Sequence, residues 1–173
     1  MDIYVTADEK YLQAIEELHW GELPKALQYF NELIAFDIDY ARAYYQLGSI
    51  YHHHFKNYQT AGYYYKRCIE IEADFPDVYE PYLKLIIILK KHKMIKPFAE
   101  KALNIAGICE ARIYETLGLY EEKQGNFAVA NAHFKKAELV NENYDDQNIF
   151  LEHQKRIKLK INNAKAMIYD LQG

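Results

Sequence analysis

The chain has little of what breaks or staples a protein: four prolines, seven glycines and two cysteines in 173 residues. Two thiols, Cys68 and Cys109, make no disulfide framework, so a reduced, cytoplasmic setting is the expectation and the fold must rest on a packed core. The few prolines and glycines are scattered, leaving no flexible linker and no low-complexity stretch, which points to a single helical domain over residues 1–173. Long hydrophobic runs are also missing. The greasiest, Leu83 to Leu89, is interrupted by Lys84 and falls far short of a membrane span. The start Met1-Asp2-Ile3-Tyr4-Val5 has neither a basic first segment nor an apolar signal core. Nor is there a basic excess: a net charge of −4 argues against a broad nucleic-acid surface. Neither a membrane nor a nucleic acid is expected as a partner.

Tyrosine is abundant, at 17 residues, and much of it falls in register. Tyr44, Tyr79 and Tyr114 lie 35 residues apart. Leu47, Tyr82 and Leu117 keep that spacing, as do Gly48, Leu83 and Gly118. A second series follows at Ala26, Ala61, Ile95 and Ala130, with Phe30, Tyr65, Ala99 and Phe134 each one helical turn later. An internal repeat of this length marks stacked helical hairpins. The small residues let two helices approach closely, and the rings fill the space between them.

The clearest unit runs from Tyr114-Glu115-Thr116-Leu117-Gly118 through Gly125-Asn126-Phe127 to Ala130, Phe134 and Ala137. It resembles the tetratricopeptide repeat, departing from it at Glu121, where that family usually carries an aromatic. The second unit (Tyr44, Leu47, Gly48, Tyr51, Tyr58, Ala61, Tyr65, Cys68) holds one extra residue in the His52–Phe55 region. The first is off-pattern at Ala14 and Glu17 but has a sound second half at Pro24, Ala26 and Phe30, and Thr6-Ala7-Asp8-Glu9 reads as a capping box. The third is degenerate: no turn glycine follows Ile86, Ile95 and Ala99 replace the small and aromatic pair, and the stack is expected to bend or loosen between Ile86 and Ala99. Pro97 suits the first turn of its second helix, and its first helix should begin close to Pro81.

The resemblance implies an all-α fold, a right-handed superhelical stack of about four hairpins over residues 8–38, 42–73, 77–106 and 111–141. A long C-terminal helix over about 146–171 caps the open end. Apolar side chains recur along it at Phe150, Ile157, Ile161, Ala164, Ile168 and Leu171, one stripe on a helix. The other faces carry Lys155, Arg156, Lys158, Lys160 and Lys165. That stripe covers the last hairpin or, at Ile157, Ile161, Ile168 and Leu171, pairs with a second copy to form a homodimer.

Catalytic and metal chemistry find no pattern here. His52-His53-His54 are consecutive on a helix, roughly 100° apart, so they do not converge on one ion. Cys68 stands where the repeat wants a small buried residue. No phosphate-binding glycine loop, zinc motif or serine elbow occurs, so no catalytic residue, metal or cofactor is expected. The resemblance implies a non-enzymatic adaptor that takes a peptide or partner helix on a concave groove lined by first helices. That groove would present Tyr11, Ile15, Tyr45, Ser49, His52, Lys84, Ile87, Arg112, Glu115 and Leu119. One subgroup of the family clamps a C-terminal carboxylate there. Its positions hold Tyr11, Ile15, Gln46, Asp77 and Pro81 here, or only Arg112 one unit on, so that clamp is absent. Two alternatives remain: a homo-oligomeric scaffold assembled through the C-terminal helix, and a small cytoplasmic secretion-type chaperone.

Overall fold

The computed structural model describes residues 6–170, with backbone alone at Tyr144 and at 165–170. The described residues are mostly helical and contain no strand. Helices α1 (Ala7–Trp20), α2 (Leu23–Phe36), α3 (Ala41–His53) and α4 (Tyr58–Ile71) follow one another, then a 3₁₀ turn at Pro76–Val78 and α5 (Tyr79–Ile88). After these come α6 (His92–Ala102), α7 (Glu110–Lys123), α8 (Phe127–Leu139), a 3₁₀ turn at Tyr144–Asp146 and α9 (Gln147–Asp170). The chain forms two compact units, 1–85 and 86–173, with the boundary inside α5.

Local chemistry sets the helix ends. The Thr6 side chain accepts from the Glu9 N–H while the Thr6 N–H donates to Glu9 Oε2 at 2.7 Å, a reciprocal cap that opens α1. Pro24 occupies the first turn of α2, where a missing N–H costs nothing. Pro97 is different. It lies inside α6, which begins five residues before it at His92, so the first-turn expectation is corrected. The proline ring leaves the Lys93 carbonyl without its helical donor, and Lys93 lies on the exposed side, where water can serve it.

The turns within the second, third and fourth hairpins share one device, whereas the α1–α2 turn at Gly21 (φ −115°) does without it. Gly125 adopts φ 80° after α7, and the Asn126 N–H reaches back to the Glu121 carbonyl at 2.9 Å, a left-handed cap that closes the helix. The third repeat has no glycine, and Lys90 takes the same left-handed conformation at φ 54°, with the Lys91 N–H on the Ile86 carbonyl at 3.0 Å. In the second repeat the position falls to Lys56 (φ 53°), and the additional residue widens the turn, so that the Asn57 N–H reaches the Tyr51 carbonyl.

In the first unit Ala14, Ala26, Phe30, Leu33, Ala43, Leu47 and Ile50 form one buried cluster. In the second, Ala130, Phe134 and Ile157 form one, and Ala111, Ala137 and Phe150 another. Hairpin spacing is set where a ring lies on a glycine. A Cβ on Gly48 would meet the Tyr65 ring at 2.4 Å, and one on Gly118 the Phe134 ring at 2.5 Å. Both rings are fully buried, so neither can swing away. Gly48→Ala and Gly118→Ala are each expected to lower unfolding free energy by about 1–3 kcal/mol, the usual range for overpacking, measured by urea denaturation.

Candidate partner-binding face

In the first unit the first helices carry Tyr11 and Ile15 on α1, Tyr45, Ser49 and His52 on α3, and Lys84 on α5. Tyr11 is half-buried, with its ring 6.0 Å from Phe30 and 5.5 Å from Tyr40. Gln46 Nε2 donates to its hydroxyl at 3.2 Å, linking α1 to α3. Ile15 packs on the margin of the first-unit core. Tyr45, also half-buried, meets Phe75 edge-on at 5.5 Å. Burial, and then the nearby Asp77 and Glu80 carboxylates, push its phenol upward, so the hydroxyl stays a neutral donor and acceptor. Lys84 is exposed and ion-paired to Glu80 one turn earlier.

Ser49 and His52 do different work from Tyr45. The fully buried Tyr65 places its hydroxyl 3.4 Å from His52 Nδ1 and in hydrogen-bond contact with Ser49. His52 is itself buried, so it supports the face from beneath and does not line it. Its ring stacks on His53 at 4.4 Å, while His54 is exposed. Cys68 is buried and its thiol is pushed up to about 12, chiefly by desolvation, which makes it a packing residue.

In the second unit, Ile87 is half-buried on α5. Arg112, Glu115 and Leu119, expected on an open groove, are engaged by the C-terminal segment. Arg112 bonds Glu115 at 2.9 Å and Asp146 at 2.7 Å, and Glu115 Oε1 meets His153 Nε2 at 3.0 Å. Leu119 packs against the cluster of Phe134 and Ile157. Farther along, Arg156 and Lys160 of α9 both bind Glu122, at 2.6 and 2.7 Å, and hold its carboxyl down at about 2. The helix α9 thus stacks on the last hairpin as a further first helix would. Sequence reasoning had no means of seeing these cross-helix ion pairs, because they link residues more than thirty positions apart.

The first part of the apolar stripe of α9, through Ile161, is spent in the same way, while Ala164 is exposed. Ile157 is fully buried and Ile161 packs beside it, which corrects the expectation that both are free to meet a second copy. Of the other two residues, Ile168 has no described side chain and Leu171 lies outside the described residues.

No family model matches the sequence, nor does any curated protein. Solved structures do resemble it. The crystal structure of MamA is 23% identical over 79% of this chain and 78% of its own, with a TM-score of 0.68. PilF of Pseudomonas aeruginosa is 16% identical over 91% of this chain and 69% of its own, at 0.76. YrrB, described as a TPR protein with an unusual peptide-binding site, is 16% identical over 91% and 79%, at 0.67. The fold is therefore that of the tetratricopeptide repeat. Among the described residues no helix is long and apolar enough to cross a membrane.

His52 gives this region a pH signature. Burial, and then His53, Lys56 and Lys84, lower its pKa to about 4, against about 6.5 in an unfolded chain. Between those values the unfolded chain takes up a proton that the fold refuses. Its contribution is therefore complete above about pH 6.5 and is lost as the pH falls toward 4, worth at most about 3 kcal/mol. Thermal melts should show the midpoint falling across that window, and His52→Gln should flatten the fall.

Proposed function

We propose that this protein is a non-enzymatic, cytoplasmic interaction module whose first-unit face takes an extended peptide or a partner helix. The observation that carries this reading is that half-buried Tyr11 and Tyr45 stand on the first helices α1 and α3, which the Gln46–Tyr11 hydrogen bond links. Two half-buried rings offer apolar contact at low entropy cost, and Gln46 and the Tyr hydroxyls would meet peptide N–H and C=O groups. Ile15 extends the apolar area, and the Lys84–Glu80 pair supplies charge that sets the partner's direction. The structural likeness to YrrB supports a peptide-binding role. Once a partner is captured from cell lysate and purified, titration calorimetry should show Tyr11→Ala and Tyr45→Ala each weakening binding by about tenfold or more, or about 1.4 kcal/mol. Unchanged affinity in both variants would overturn the reading.

A second reading, self-association through α9, rests on Leu159. It is 63% exposed on a face that also carries Lys155 and Lys158. A homo-oligomer built there would bury Leu159, so sedimentation velocity should show a larger species for the native chain and a monomer for Leu159→Glu. A native chain that sediments as a monomer removes this reading.

A further inference from the structure

The repeat allows one groove of the molecule to be compared with its own counterpart. In the first unit, α2 and α4 flank α3, and the space over α3 is closed by stacked Tyr51 and Tyr64, 5.5 Å apart at 20°. Leu27 and the buried Phe30 line the same groove from α2. In the second unit, α6 and α8 flank α7 in the same order. The positions equivalent to Tyr51, Tyr64, Leu27 and Phe30 there hold Glu121, His133, Lys96 and Ala99. Two rings, a leucine and a phenylalanine have become polar or small. A cavity of about 590 Å³ opens in their place, with Leu103, Leu117 and Val129 on its walls. It lies on the side of α7 away from Arg112, Glu115 and Leu119.

Two features of this cavity describe what it lacks. His133 Nδ1 is buried with no hydrogen-bond partner among the described residues, although its ring lies face to face with Tyr114 at 6.3 Å. An unmet buried acceptor or donor of this kind costs about 1–3 kcal/mol until something satisfies it. The cavity walls carry two lysines and two carboxylates, and the excess of positive charge lies beside them, at the start of α6. Lys90, Lys91, Lys93 and Lys96 cluster at the start of α6, and Lys136 stands over the Tyr114 ring at 5.4 Å. The two carboxylates that line the cavity have partners of their own, one a neutral amide and the other Lys96 at the limit of ion-pair distance, an exposed contact that an incoming carboxylate would replace. Glu121 accepts from Asn126 at 2.7 Å, and Glu100 lies 4.0 Å from Lys96.

We propose that this cavity is a second docking site, for an acidic peptide segment that inserts one tyrosine or tryptophan ring. The ring would take the place that Tyr51 holds in the first unit, stacking on His133 and Tyr114. Its O–H or N–H edge would meet His133 Nδ1, and flanking carboxylates would meet Lys96 and Lys136. The size suits a side chain with adjoining backbone, within the usual range for ligand sites. The chemistry of the site rests on the fold alone and not on the first-unit face, so the two can fail separately.

The test uses the full chain and a short fluorescein-labelled peptide with one central tryptophan among glutamates, followed by fluorescence anisotropy. Binding is expected, and it should weaken by about tenfold or more when lysines replace the glutamates. The same loss is expected in Lys96→Glu with Lys136→Glu. Glu121→Tyr with His133→Tyr, which refills the groove as the first unit does, should abolish binding without lowering the melting temperature. Should that variant fail to fold, Val129→Glu, at a position 46% exposed, gives the same reading. Tyr45→Ala should leave this binding unchanged. The proposal is overturned if the peptide does not bind, or if the groove variants bind it as well as the native chain. It is equally overturned if only equimolar phosphatidylserine–phosphatidylcholine vesicles bind.

Discussion

Everything in this molecule follows from how closely the two helices of a hairpin can approach. A ring on the second helix lies against a residue with almost no side chain on the first: Tyr65 against Gly48 and Phe134 against Gly118. Ala14 and Phe30 sit together in the first-unit core. The ring supplies the buried area, and the missing Cβ lets the backbones come near enough to exclude water around it. With that spacing set, each first helix can carry residues that are only half used by the hairpin, such as Tyr11 beside Phe30 and Tyr45 beside Tyr65. The third repeat exchanges the pair in sequence, with Leu83 at the small position and Ala99 at the aromatic one. The same exchange removes the ring from the α6 wall of the second-unit cavity.

Much of the fold was legible because its signals are local or strictly periodic. The Thr6–Glu9 cap, Pro24 in a first turn and Gly125 at a left-handed turn each depend on a few consecutive residues. The buried positions at Ala26, Ala61, Ile95 and Ala130 could be read from spacing alone, and all four are buried. Pro97 was misplaced because proline is tolerated inside an exposed helix when water can meet the freed carbonyl, so its presence does not mark a start. Lys56 and Lys90 were invisible as turn residues, since a lysine at positive φ leaves no compositional trace.

The candidate site was legible only in part. Tyr11, Ile15, Tyr45 and Lys84 stand on first helices of the first unit in the positions that the register implies. His52 and Ser49 follow the same register yet serve Tyr65, because a buried phenol needs partners for its hydroxyl. Arg112, Glu115 and Leu119 follow it too, but α9 claims them through Asp146, His153 and Ile157. Periodicity reports which way a side chain leaves its helix and says nothing of what arrives from elsewhere to meet it.

By itself the sequence determined the helices, their pairing into hairpins and the residues that bury between them. Those depend on spacing within about one repeat, and spacing survives translation into a periodic pattern. Only the tertiary structure decided which outward residues remain available. That depends on contacts such as Glu122 with Arg156, 34 residues apart, and on a groove that Tyr51 and Tyr64 close in one unit while Glu121 and His133 leave it open in the other. Availability is a property of what packs against a side chain, and no local pattern encodes it.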